Sequence, residues 1–399
     1  MPKLLPFRGL RPDTAVVGRL DDVVCPPYDV ITDQQRLALV ERSPYNMVRI
    51  ELPAGDYQQA AALLCQWRSS GALAREPVPV LYGYRMTVPS DAGVDRHTVG
   101  VMGALALEPP GRGILPHEHT TPKAKSDRLE LIRATDANTS PIWCLCSEPG
   151  LTEALGEVPT SGSARAVDDD GNIHEMWTIF DPATHKAVAE IVGAAPLLVA
   201  DGHHRYETAL AYQAERALAS GPDERQAAEE GAGPAAILAL VVELAEDQLQ
   251  VLAIHRLVSG LPGGVDVLAA FTSDFELTRA SEHGVTLLAQ MSRVGAVGIV
   301  TPAGSFLARP VTGTAVALEL DSSRVDAAVA SLPAHQLSYE HDVAEAVEEV
   351  RNGRADAAIF CRPATVDQIA ATAHGGSRMP PKTTFFWPKP RSGMVLRDW

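Results

Sequence analysis

Apolar residues along this chain recur with two periods, and the places where one gives way to the other predict its elements. Pro196-Leu197-Leu198-Val199-Ala200 is a continuous apolar run, the pattern of a buried strand. Beyond Arg205, residues Tyr206, Ala209, Leu210, Ala214, Ala217 and Leu218 recur at helical spacing. Asp201-Gly202-His203-His204-Arg205 therefore marks a strand-to-helix turn. Upstream, Thr32 is placed to cap a helix over Gln34–Arg42, Met47–Leu52 reads as a strand, and Asp56–Ser70 reads as a helix with Leu63, Leu64 and Trp67 on one side. Val78–Val88 and His97–Leu107 read as strands joined by the Pro89-to-Asp95 turn. Pro26-Pro27-Tyr28-Asp29-Val30-Ile31 is rigid and extended, because each proline fixes φ and restrains its predecessor.

Further along, a helix is expected over Ser126–Ala134, a strand over Pro141–Cys146 and a hairpin turn at Asp168–Asn172. Asp181 caps a helix running to about Val192. Ser220–Pro234 is rich in Gly, Ala, Glu and Asp and reads as a surface loop. Ala235–Leu244 is a near-continuous apolar strand, and Leu249–Leu257 is expected to pair with it. Asp266–Phe271 and Val285–Met291 read as helical, with strands around Val297–Val300 and Val316–Leu320. A helix containing Val343, Ala346, Val347 and Val350 ends at Asn352-Gly353, and Ala357–Cys361 is a strand. Thr365 and Gln368 form a capping box for a helix to Ala373 that Gly375-Gly376 stops. Helices and strands are mixed rather than strictly alternating, so the fold class is α+β. The expected division is an N-terminal α/β domain over 1–110 and a second domain over 111–399.

Composition narrows the partners. A chain of 399 residues has room for two or three domains. Its formal charge of −16, from 34 Lys and Arg against 50 Asp and Glu, argues against nucleic acid, which needs a basic face. Cys144-Leu-Cys146 is too close for an ordinary disulfide or a usual zinc knuckle, and five cysteines without framework spacing suit reduced thiols in the cytoplasm. Met1-Pro2-Lys3-Leu4-Leu5-Pro6-Phe7-Arg8 lacks the apolar core of a signal peptide. No apolar run reaches the roughly 18 residues a membrane span requires, so no membrane partner is expected.

Three clusters carry chemistry. The first is the Asp201–Arg205 turn. A helix N-terminus exposes unpaired N–H groups and suits anions, phosphate above all, and Arg205 adds a planar charged fork. The same residues serve equally as an N-cap, a turn glycine and two solvated histidines. The second is His117-Glu118-His119, in a proline-bounded segment. Glu118 is either a solvated loop acid or a general base, the latter if partial burial raises its pKa. The third is Lys382-Thr383-Thr384, with Lys389 and Arg391 close behind. An ammonium and two hydroxyls bind carboxylate or phosphate oxygens, and they equally suit an exposed strand. His255-Arg256 reads as an exposed strand terminus.

Taken together these motifs resemble a known family. Asp201–Arg205 resembles the phosphate-binding signature of the ParB/sulfiredoxin-like superfamily, and within it the free L-serine kinase branch. Pro116-His117-Glu118 resembles the segment carrying that kinase's catalytic glutamate, and Pro381-Lys382-Thr383-Thr384 its substrate-binding stretch. This likeness spans roughly residues 115–399. Over nearly its full length the chain also resembles a bacterial and archaeal family known only as a domain of unknown function. The hallmarks are Cys25-Pro26-Pro27-Tyr28-Asp29-Val30, Ala200–Thr208 and Met379–Gly393. Two departures stand out. Phe385 and Phe386 follow the threonines where the kinase has basic residues, and the first 110 residues have no counterpart in it.

The resemblance implies a ParB/sulfiredoxin-like phosphotransferase core that makes O-phosphoserine from free L-serine or a similar hydroxylated acceptor. Glu118 would accept the hydroxyl proton. The N–H groups after Gly202, with His203, His204 and Arg205, would hold the donor's phosphates. Asp201 would orient Mg²⁺ or the acceptor, and Lys382, Thr383 and Thr384, with His255, would hold the acceptor side. The donor is ATP, ADP or pyrophosphate, because neither a P-loop nor a kinase glycine loop is present. Two rivals stand beside this reading: a ParB-type nucleotide switch without catalysis, and a zinc hydrolase using His117, His119 and a histidine of the turn. A homo-oligomer is compatible with all three.

Overall fold

The computed structural model describes residues 1–90, 93–109, 111–116, 122–219, 233–281, 284–311, 320–375, 379–380 and 382–399. The chain forms two compact units. The first comprises Met1–Gln250 together with the returning tail Pro388–Trp399, and the second comprises Val251–Trp387. The division expected near residue 110 therefore falls elsewhere. Strands on both sides of that point belong to one hydrogen-bonded sheet, which holds 1–110 and the following segment in a single unit.

The sheet of the first unit has nine strands. Its order is Ile114–Pro116, Leu197–Asp201, Ile142–Cys146, Ala236–Glu243, Arg96–Ala106, Leu81–Val88, Ile173–Ile179 and Ala164–Val167, with Leu4–Leu5 paired to Arg96–Ala106. Ala236–Val242 is buried at every position, as its unbroken apolar run requires. It is flanked by Arg96–Ala106 on one edge and Ile142–Cys146 on the other. No edge is left for Leu249–Leu257, and the expected pairing does not form. That stretch divides at Ile254, and His255–Ser259 instead pairs with Gln336–Glu340 and Ala357–Phe360 in the second unit.

Met47–Leu52 is not a strand. Met47, Val48, Ile50 and Glu51 are all fully buried, and positions spaced this way share one face of a helix. A single turn, Val48–Glu51, forms with Asn46 Oδ1 accepting from Val48 N at 3.0 Å. The neighbouring helices form as their caps predict. Thr32 and Gln35 make a reciprocal capping box on Asp33–Arg42, and Asp56 caps Tyr57–Ser69. Leu39, Leu64 and Trp67 join Met47, Val48, Ile50, Leu131 and Leu396 in one apolar cluster. Each such side chain contributes about 1.5–3 kcal/mol through burial. Leu396 belongs to the tail, which also bridges Cys25 through Ser392 and pairs Arg397–Asp398 with Ala137–Asn138.

The second unit has a six-stranded sheet in the order Phe275–Arg279, Gly304–Pro310, Val297–Thr301, Ala357–Phe360, His255–Ser259 and Gln336–Glu340. Helices Val285–Val294 and Val343–Arg351 form as their spacing predicts, while Val267–Phe271 is a 3₁₀ turn. The strand expected at Val316–Leu320, apart from Leu320, and most of the Ser220–Pro234 loop lie outside the described residues. No helix among the described residues is long and apolar enough to cross a membrane. Cys25, Cys144, Cys146 and Cys361 are buried thiols, and Cys65 is exposed.

Candidate functional site

Leu197–Asp201 lies parallel to Ile114–Pro116 and antiparallel to Ile142–Cys146, with its register shifting between Val199 and Asp201. The strand gives way to the His203–Ala219 helix through Gly202, whose φ is +91°. A Cβ at that position would sit 2.9 Å from Ile142 Cγ2 and 3.1 Å from Arg205 Nε. Both the backbone angle and the space therefore demand glycine. The Gly202 carbonyl accepts the first helical bond, from Tyr206 N at 2.9 Å.

Asp201 closes the strand and precedes Gly202. Its carboxylate accepts from Arg205 Nη2 at 2.6 Å and from Lys389 Nζ. All three side chains are buried, at 11%, 8% and 6% exposure. Burial alone would raise the Asp201 pKa, but Lys389, Arg205 and His203 outweigh it and hold the carboxyl below its ordinary value. Arg205 also donates through Nη1 to the Pro141 carbonyl. Its two terminal nitrogens thus fix the turn, while its Nε has no partner among the described residues.

A second layer of charge lies behind the turn. Arg128 stacks over the Tyr28 ring at 4.1 Å and donates to the Glu51 carbonyl at 2.7 Å and to Asp127. Asp127 in turn accepts from Tyr57 Oη at 2.7 Å. The fully buried Glu51 carboxylate accepts from Thr139 Oγ1 and from Ser140 Oγ, the latter at 2.8 Å. Burial and Asp29 push the Tyr28 phenol up, with Arg205 and Arg128 opposing. The Pro26-Pro27-Tyr28-Asp29 motif therefore lies within electrostatic reach of the turn. Arg128, Thr139, Ser140, Arg205 and Thr208 line a cavity of about 40 Å³, where Thr208 Oγ1 has no hydrogen-bond partner among the described residues. That space admits ordered water.

The tail is held by a second buried relay. Arg391 pairs with Asp168 at 2.5 Å, Asp168 meets His174 Nε2 at 3.1 Å, and His174 Nδ1 meets Tyr84 Oη at 2.9 Å. Burial raises the Asp168 pKa, but His174 and Arg391 more than reverse this. Lys389 thus reaches Asp201 from a segment anchored at Arg391.

Lys382, Thr383, Thr384 and His255 belong to the second unit. Thr383 Oγ1 lies 3.0 Å from Ser322 Oγ and 2.8 Å from the Pro380 carbonyl. It lines a cavity of about 370 Å³ with Ser322, Cys361 and the Arg362–Asp321 pair. Lys382, Thr384 and His255 do not line it. Lys382 is exposed with φ +59°, and its carbonyl accepts from Arg256 Nη1 at 3.0 Å. The exposed terminus expected at His255-Arg256 is in fact buried. His255 packs edge-on against Phe360 at 4.8 Å, and burial, with Arg256 nearby, pushes its pKa down to about 4.

Both Asp201 oxygens are engaged by cations, so this carboxylate is poorly suited to Mg²⁺, and among the described residues no three His, Cys, Asp or Glu side chains are gathered to hold a metal. His117, Glu118 and His119 lie outside the described residues. The sequence reading missed Lys389 as the partner of Asp201, and it missed Glu51 entirely.

A family profile described as "Protein of unknown function (DUF1015)" matches residues 4–333. The chain belongs to the DUF1015 family. The match spans the Tyr28 motif and the Asp201 turn, and the Met379–Gly393 stretch lies beyond it. No curated protein matches this DUF1015 chain in sequence. Among solved structures it is similar to a free serine kinase in complex with AMP, at 14% identity and a TM-score of 0.37 over 69% of this chain and 83% of that one. It is also similar to SbnI with C-terminal truncation from Staphylococcus aureus, at 13% identity and a TM-score of 0.40 over 73% and 85%. A conserved hypothetical protein from Pyrococcus furiosus gives 13% and 0.36 over 70% and 88%. These values are too low to transfer a function to the DUF1015 chain.

Proposed function

We propose that the chain is a small-molecule phosphotransferase that moves a phosphoryl group from a nucleotide or pyrophosphate to the hydroxyl of a free amino acid, L-serine first among them. The Asp201 turn carries this reading: a buried strand delivers Gly202 at positive φ to the start of a 17-residue helix, and Arg205 and Lys389 lock the preceding carboxylate. Such a terminus concentrates N–H donors and positive potential on an anion. The N–H groups after Gly202, with His203 and His204, hold the donor's phosphates. Asp201, Arg205 and Lys389 keep the turn in place.

Phosphoryl transfer asks mainly for positioning and charge neutralisation. The serine oxygen attacks phosphorus, the bond to the donor's bridging oxygen breaks, and Glu118 takes the hydroxyl proton. The test is product formation from a panel of hydroxylated acceptors with ATP, ADP or pyrophosphate. Glu118→Gln should lower turnover by about 10²–10⁴-fold. Unchanged turnover in that variant rejects Glu118 as the base. Nucleotide binding with no product from any acceptor favours a ParB-type switch.

A further inference from the structure

A large cavity of the first unit lies away from the turn's own residues and has no part in the reading above. It measures about 790 Å³ and is lined by Arg11, Arg19, Arg75, Arg165, Ser163 and Met394, with Asp13, Asp21 and Glu76 among them. Its volume falls in the roughly 300–1,000 Å³ range of small-molecule sites. Four arginines in one cleft stand out in a chain of net charge −16.

The acids in and around this cleft already have partners. Asp21 accepts from Arg19 Nη2 at 2.5 Å and from Val167 N at 2.8 Å. Glu76 accepts from Arg11 Nη1 at 2.9 Å, and Asp13 from Ala15 N at 2.9 Å. Asp398, outside the lining, takes Arg75 at 2.5 Å and Arg68 at 3.2 Å. Donors remain in excess. Arg11 and Arg19 each spend one guanidinium nitrogen on their acid, and the exposed Arg165 lies within electrostatic reach of Asp21. A guanidinium has five N–H donors and no acceptor. The vacant half of the lining is therefore donor-rich, permanently charged and fork-shaped, which matches phosphate oxygens two at a time.

We propose that this cleft is a second binding site, for a small phosphorylated molecule, distinct from the Asp201 turn. Arg165 and Arg19 grip the phosphate, while Arg11 and Arg75, each tied to an acid, shape the wall beside it. Arg19 and Arg165 are exposed, so their replacement leaves the fold intact.

Isothermal titration of the full chain with inorganic tripolyphosphate tests the site, using wild type, R19A/R165A and H204A, with thermal midpoints confirming that each variant is folded. A binding event that persists in H204A and weakens at least tenfold in R19A/R165A is the expected result. Titration of R19A/R165A that matches wild type overturns the proposal, as does the absence of any event in H204A.

Discussion

Lys389 donates to the carboxylate of Asp201 from 188 residues further along the chain. This bond ties the C-terminal tail to the start of the His203 helix and leaves Asp201 charged although buried. Removing the ammonium takes away the first of the three groups, Lys389, Arg205 and His203, that hold the carboxylate charged. Lys389→Met should lower the unfolding free energy by about 3 kcal/mol, because half of a buried charge pairing is lost. Urea unfolding measures this, and a change below about 0.5 kcal/mol would show that the contact contributes little.

Gly202→Ala should destabilise by about 1–3 kcal/mol, because alanine is strained at φ +91° and its Cβ meets Ile142. ADP affinity should fall with it, since the turn must shift. Gly263→Ala serves as a control, having neither a positive φ nor a neighbour within 4 Å of an added Cβ. Equal melting temperatures for the two variants would count against the turn geometry.

His255 gives the acid limb a defined sign. Burial, then Arg256, lowers its folded pKa to about 4. An unfolded histidine titrates near 6.5, so between about pH 6.5 and 4 the unfolded chain binds a proton that the folded chain refuses. Stability is full above about pH 6.5 and falls by up to about 3 kcal/mol on the way down. In His255→Gln this part of the slope disappears. Parallel pH curves for variant and wild type would refute the assignment.

Thiol labelling separates the cysteines. Cys65 is exposed, whereas burial encloses the other four, pushing Cys361 up to about 12 and raising Cys25, Cys144 and Cys146. One thiol should react rapidly in the native chain and four more after denaturation. Rapid native labelling of Cys144 or Cys146 would contradict the burial of the Ile142–Cys146 strand.

What the sequence made legible was local. The Asp201 turn, the Thr32 cap, the Thr365–Gln368 box and the apolar strand at Ala236–Glu243 all announce themselves within a few residues. The misread stretch, Met47–Leu52, is too short for its period to separate strand from helix. Nothing near Glu51 in the chain marks it as a buried carboxylate, because its partners Thr139 and Ser140 lie 88 and 89 residues away. Lys389 lies close behind Lys382-Thr383-Thr384 along the chain. The unit boundary instead falls between them, sending Lys389 to Asp201 and Thr383 to Ser322. Spacing along a chain does not report where a segment crosses from one sheet to another.

Phosphorus NMR of the full chain with L-serine and each donor in turn tests the central claim most directly. The account predicts a growing phosphomonoester signal that matches O-phosphoserine, as the donor's terminal phosphate signal declines in equal amount. Intact donor and no phosphomonoester after prolonged incubation with ATP, ADP and pyrophosphate would contradict it.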